Sequence, residues 1–310
     1  MDFIAQAFKG KTEWYHYFFC VIFVFIIQGF GIIPLMIVRK FMDLDKHVSL
    51  SRNPGIDNNM FFILIVIIPA AMGLWGLYMW ITKIHKSSFL KVLTARQKFD
   101  FQRVKYAFLI LFISIIAFLI IDFVFYSSNY VLNFKPLPFF FLFLISFILL
   151  PLQTSFEEVL FRGYLMQGFG VLTRSRLLAL IFTSTIFGLM HFANPEIKKL
   201  GNILLISYIG TGFFFGIVAL MDEGIELTLG LHAANNIAVA LFVTTNWSAF
   251  QTDALLVNIA EPKIDWTNYV SLLVVYPIIV WIFSKKYGWT NWRQKLMGKV
   301  IEPIIETIKD

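Results

Sequence analysis

Residues 137–166 read LPFFFLFLISFILLPLQTSFEEVLFRGYLM: an apolar run that ends in two carboxylates and an arginine. About 20 apolar residues in a helix cross a bilayer, so the first half of this stretch belongs in hydrocarbon. Glu157, Glu158 and Arg162 do not. A charge at the bilayer centre costs on the order of 3 kcal/mol, so the three are expected to face a wet cavity walled by protein. Comparable apolar stretches lie on both sides, at 14–38, 59–82, 106–126, 177–192, 200–221, 227–246 and 267–284. The expected fold is all-α, a polytopic membrane protein of about eight transmembrane helices around a polar cavity. It divides into an N-terminal part with three spans (1–136), a motif-bearing core (137–246), and a last span with a basic tail (247–310).

Composition agrees. The 310 residues are 58% hydrophobic and 15% charged, against about 25% charge in a soluble domain; this excludes a disordered chain and argues against a soluble enzyme. The lone Cys20 excludes a disulfide scaffold and a cysteine-rich metal site. The net charge of +7 sits between apolar segments, which points to the lipid bilayer as partner and not to nucleic acid. With the N-terminus inside, 18 of the 26 Lys and Arg residues fall in inside segments, so both termini are expected in the cytoplasm. No cleavable signal peptide is read in residues 1–13. The tail from Lys285 alternates apolar and basic residues, including Trp289, Trp292, Val300, Ile304 and Ile305, as an amphipathic helix on the inner leaflet or a short solvated helix would.

Three segments carry chemistry. In Glu157-Glu158-Val159-Leu160-Phe161-Arg162, Glu158 and Arg162 are one helical turn apart and suited to pair. That leaves Glu157 as a free carboxylate suited to general-base work. In Phe187-Gly188-Leu189-Met190-His191, Phe187 lies one turn before His191 and is placed to wall its imidazole. In His232-Ala233-Ala234-Asn235-Asn236, His232 and Asn236 share a helix face. Imidazole and carboxamide N–H groups there would suit either a developing oxyanion or hydrogen bonding between helices.

The ordered trio EE-xxx-R, F-xxx-H and H-xxx-N on successive spans resembles the CPBP family of intramembrane proteases, also called the CAAX-protease or Abi family, which includes the Rce1-like prenyl-protein proteases. The resemblance covers roughly residues 137–246. It implies an intramembrane endopeptidase of glutamic type, with a polar cavity opening toward the cytoplasm. In it Glu157 and His191 activate water, Glu158 and Arg162 support the site, and His232 with Asn236 holds the oxyanion. It implies a membrane-anchored or lipid-modified peptide as substrate, a cell-membrane location, and a role in peptide maturation or bacteriocin self-immunity. No cofactor is implied, although Glu157, His191 and His232 leave a His₂Glu-type zinc site open. The alternative from another class is a non-catalytic peptide-binding or transport protein using the same cavity.

Other intramembrane proteases fit less well. The chain has no G-x-S-x-G serine context and no G-x-G-D aspartyl motif. Asp122 is expected near the outer end of its span, satisfied by neighbours. Gly212 and Gly216 read as small-residue helix packing, and His16, His47 and His85 have no evident partner. Depths counted at about 1.5 Å per residue disagree: Glu157 comes out about 16 Å from its helix end, His191 about 22 Å and His232 about 9 Å. A kink at Pro151 or a displaced connection before His232 is needed to bring them level.

Overall fold

Proline punctuates the long helices of this chain. The computed structural model describes residues 2–44, 53, 55–264 and 266–303; His47, Ile304 and Ile305 lie outside them. Among the described residues, six helices are long and apolar enough to cross a membrane. They are α1 (Trp14–Phe41), α2 (Asn58–Ile84), α3 (Phe101–Phe125), α4 (Pro136–Thr173), α5 (Arg176–Ala193) and α6 (Asn202–Asp222). Two shorter rods complete the set: α7 (Glu226–Phe242) and α8 (Tyr276–Tyr287), the latter led in by a π-helical turn at Ser271–Val275. These eight correspond to the eight expected spans, and the protein is an all-α polytopic membrane protein.

The outer faces of the bundle are apolar, as lipid requires. Ile113, Ile120 and Phe125 on α3 and Trp281 on α8 are exposed. The core instead forms around α4, whose segment Val159–Leu165 is buried throughout. Pro151 has no N–H to give to the preceding turn, and α4 is interrupted at Leu149 as expected. Beyond that break, the π-helical turn Val159–Leu165 follows directly on Glu158; π turns concentrate at functional sites. Packing of α5 on α6 depends on two small residues. A Cβ on Gly212 would meet the Ser184 carbonyl oxygen at 2.5 Å, and one on Gly216 the Leu180 side chain at 2.5 Å.

One end of the bundle is closed by ionic contacts. The turn between α6 and α7 is buried beneath the α2–α3 connection: Ala95 N–H donates to Glu223 O (3.0 Å) and Ile225 N–H to Leu93 O (2.9 Å). Arg96 binds Asp222 (2.9 Å) and Glu226 (3.2 Å), and Arg103 also reaches Asp222. Helix α7 therefore starts beneath a layer of protein. Counting the depth of His232 from Glu226 left that layer out.

Both described chain ends dock at this same end. Phe3 N–H donates to Glu223 (2.6 Å), and Arg176 donates to Lys295 O (2.8 Å). The tail corrects the amphipathic-helix expectation. Among the described residues after α8, only Trp292–Met297 is helical; the following strand-like residues pair with the segment leading into α5, with Val300 N–H donating to Arg174 O (3.0 Å). Trp289 and Val300 are buried against the bundle, so their apolar surface covers protein.

The opposite end carries a small sheet absent from the sequence reading. Strand β1 (Tyr130–Leu132) pairs antiparallel with β3 (Leu256–Asn258), and β2 (Val243–Thr244) pairs with β3 in parallel, in the order β1-β3-β2. It ties the α3–α4 connection to the segment after α7. Tyr130 hydroxyl donates to Asp122 there, the partner expected for that aspartate. Away from the site, Cys20 is buried. His85, also buried, meets the Tyr164 hydroxyl at 2.8 Å, and burial pushes its pKa down to about 4.

Candidate active site

Glu158 and Arg162 are both fully buried and pair at 2.9 Å, as their spacing predicts. The guanidinium lies 3.9 Å from the centre of the Phe187 ring and 5.1 Å from that of Phe215, two cation–π contacts in a buried setting. It also donates to Gly212 O (3.4 Å). Phe187 therefore covers the arginine, while its own ring centroid is 5.0 Å from that of His191, tilted at 58°. The stacking partner of His191 is Tyr208 on α6, at 4.3 Å and 19°.

The same oxygen of Glu158 that receives Arg162 also receives His232 Nδ1, at 2.8 Å. A carboxylate held ionised by a guanidinium can only accept, so Nδ1 carries a proton and Nε2 points the other way. Nε2 lies 3.6 Å from Glu157 Oε2. The Glu158–Arg162 pair thus fixes the imidazole that stands beside Glu157. On α5, His191 Nδ1 donates to Phe187 O at 2.9 Å, since a backbone carbonyl can only accept. In a neutral ring this leaves Nε2 with a lone pair.

Glu157, His191, His232 and Asn236 all line one cavity of about 520 Å³. Helices α4, α5 and α7 therefore bring the candidate residues to one space. They do not all pair: no ring nitrogen of His191 lies within 4 Å of a Glu157 carboxylate oxygen, and a water between them would connect the two. The covered start of α7 accounts for the shallow depth that helix-rise arithmetic gives His232.

Gln153 escaped the sequence reading. Its Nε2 donates to Glu157 Oε1, and its Oε1 accepts from Asn236 Nδ2 at 2.9 Å. Asn236 Oδ1 in turn accepts from Asn235 (3.0 Å). One amide thus orients the carboxylate and the carboxamide together, leaving the second Nδ2–H of Asn236 for another acceptor. The signal available was its position one turn before Glu157 on the same face, which a lone glutamine seldom marks. Gln153→Leu is expected to lower kcat about 10²-fold, with a much smaller change in KM, because misplacing a reacting group by about 1 Å costs roughly that much. Steady-state kinetics on a cleaved peptide checks it.

His232 gives Nδ1 to Glu158 (2.8 Å), which leaves only its Nε2 for a further partner. Among the described residues no three His, Cys, Asp or Glu side chains are gathered as a metal's ligands are.

The cavity occupies the half of the bundle away from Arg174 and Arg176. Asn194 and Glu196 after α5, with Ser248, Ala249 and Phe250 after α7, line it at that end. Helix α5 carries His191 at its end opposite to the docked chain ends.

Residues 134–238, which contain all three motifs, match the family described as type II CAAX prenyl endopeptidase Rce1-like. The resemblance carried by the motifs is borne out over that stretch, and the family is one of membrane proteases. Over 294 residues, 92% of this chain and 97% of the relative, the protein is 29% identical to the uncharacterized protein YyaK of Bacillus subtilis (strain 168). No solved structure matches it.

Proposed function

We propose that this protein is a metal-independent intramembrane endopeptidase in which Glu157 activates water. The observation that carries the reading is the meeting of Glu157 and His232 (3.6 Å) in a cavity shared with His191 and Asn236. Glu157 takes a proton from a water molecule as the water oxygen bonds to the scissile carbonyl carbon. His191, with Nε2 unpaired, accepts a hydrogen bond from the same water. The carbonyl oxygen becomes an anion and receives the free Nδ2–H of Asn236 and the Nε2–H of His232. For that, His232 must carry both ring protons. The C–N bond then breaks, and the proton held on Glu157 passes to the leaving amine. The products are a carboxylate and an amine, with no acyl-enzyme.

The substrate is a membrane-associated or lipid-modified peptide, whose cleavage serves peptide maturation or bacteriocin self-immunity; these roles rest on the family resemblance. The termini are assigned to the cytoplasm by the distribution of basic residues. By the same assignment the cavity is reached from the non-cytoplasmic half of the membrane.

The test is cleavage of amphipathic peptides by protein purified in lipid nanodiscs, read by mass spectrometry. Wild type cuts, and His191→Ala, inserted and folded as wild type, cuts at least about 10²-fold more slowly. Equal rates of cleavage would remove His191 from the chemistry, and peptide binding without cleavage by wild type would favour the non-catalytic binding or transport protein.

A further inference from the structure

Glu196 stands on the first turn of the short helix Pro195–Leu200 and lines the same cavity as Glu157. Its Oε1 accepts the backbone N–H of Ala249 at 2.8 Å, which fixes the carboxylate and ties the segment after α5 to the segment after α7. Its Oε2 is buried and has no hydrogen-bonding partner among the described residues. A carboxylate oxygen removed from bulk water without a donor is costly, and such an atom persists where a donor arrives from elsewhere. The nearest basic residues in sequence, Lys198 and Lys199, are exposed.

The rest of the wall gives the sign of the missing partner. Besides Glu196 and Glu157, the cavity is lined by aliphatic, aromatic and polar residues, with His191 and His232, and by no lysine or arginine. The cation that the mechanism requires, doubly protonated His232, stands beside Glu157 (3.6 Å), and Glu196 has no ion-pair partner within 4 Å among the described residues. The one guanidinium close behind it, Arg162, is consumed by Glu158. Phe250 and Tyr276 supply apolar surface for an alkyl stem.

We infer that Glu196 is a substrate-recognition residue, and that its carboxylate, whose buried second oxygen turns toward the cavity as the peptide enters, binds a cationic group of the peptide, an alkylammonium or guanidinium near the scissile bond. The inference rests on the peptidase reading for the word substrate, but the binding it describes is measurable without cleavage. A charge-assisted bond from such a group is short and about twice as strong as a neutral one. It would also discriminate against acidic peptides by repulsion.

The test uses amphipathic quenched-fluorescent peptides in nanodiscs, in which one lysine is moved along the sequence. Each is paired with its Nε-acetyl-lysine counterpart, and each pair is made with a free and an acetylated N-terminus. Wild type is expected to favour the charged member of a pair by about tenfold in kcat/KM at one position. Glu196→Gln, which keeps the acceptor for Ala249, brings that ratio close to one. The same pairs are bound to Glu157→Gln, where tenfold tighter binding of the charged peptide is expected and is lost in Glu157→Gln/Glu196→Gln. The lysine preference is expected to be the same with a free and an acetylated N-terminus, because each pair differs only in the side-chain charge. A ratio near one in wild type and in Glu157→Gln, or a preference that survives Glu196→Gln, overturns the inference. Charge-dependent binding through Glu196 without any cleavage overturns the peptidase reading and leaves this site standing.

Discussion

Glu157→Gln is expected to lower peptide cleavage by about 10³-fold or more, within the range for losing a general base, while the protein remains folded and inserted. The amide is nearly isosteric with the carboxylate and still offers an oxygen to Gln153 and a group beside His232. What it cannot do is take a proton from water and return it to the leaving amine. The effect should therefore fall on kcat, with KM close to that of wild type, since the cavity keeps its shape. Glu157→Asp, which withdraws the carboxylate by one methylene from both Gln153 and His232, should retain measurable but reduced activity. A Glu157→Gln protein within tenfold of wild type would remove Glu157 from the chemistry.

Arg162→Met is expected to have the largest effect on stability. Glu158 and Arg162 are both buried and share a 2.9 Å bond, and the arginine is packed between Phe187 and Phe215. Removing one partner of such a pair leaves an uncompensated charge and costs about 3–5 kcal/mol. A large drop in melting temperature, followed by tryptophan fluorescence in nanodiscs, would show it. The double variant Glu158→Leu/Arg162→Met removes both charges and should recover much of that stability. Its activity should stay lost, because His232 Nδ1 no longer has the carboxylate that orients it (2.8 Å). Stability restored together with activity would mean that the pair only holds the fold.

The spacing of residues in the chain made much of this arrangement legible. Glu158 and Arg162, four apart on one helix, could hardly avoid each other once buried. The apolar runs set the eight rods, because backbone groups in lipid must satisfy one another within a helix. Pro151 announced the break in α4. Other features had no local signature. Gln153 is an ordinary polar residue until the fold brings Asn236 to it from α7. Glu196 sits outside the motifs, in a connection whose course depends on Ala249, more than fifty residues later. The buried turn between α6 and α7 looks from its sequence, Asp222 to Glu226, like a solvent-facing loop. Partners from distant parts of the chain make its burial tolerable: Arg96, Arg103 and Trp289 at Asp222, Arg96 at Glu226, and Arg176, Lys295 and the Phe3 N–H at Glu223. The side on which the cavity lies could not be read from charge counts alone, since it depends on which end of α5 carries His191.

The most direct measurement is wild-type cleavage of a peptide in nanodiscs made up in H₂¹⁸O, with and without a strong chelator. Direct attack by water activated on Glu157 predicts two product peptides, one ¹⁸O atom in the new C-terminal carboxylate, and the same rate in both conditions. An intact peptide would contradict peptide hydrolysis. A rate abolished by the chelator and restored by zinc would contradict the metal-independent mechanism.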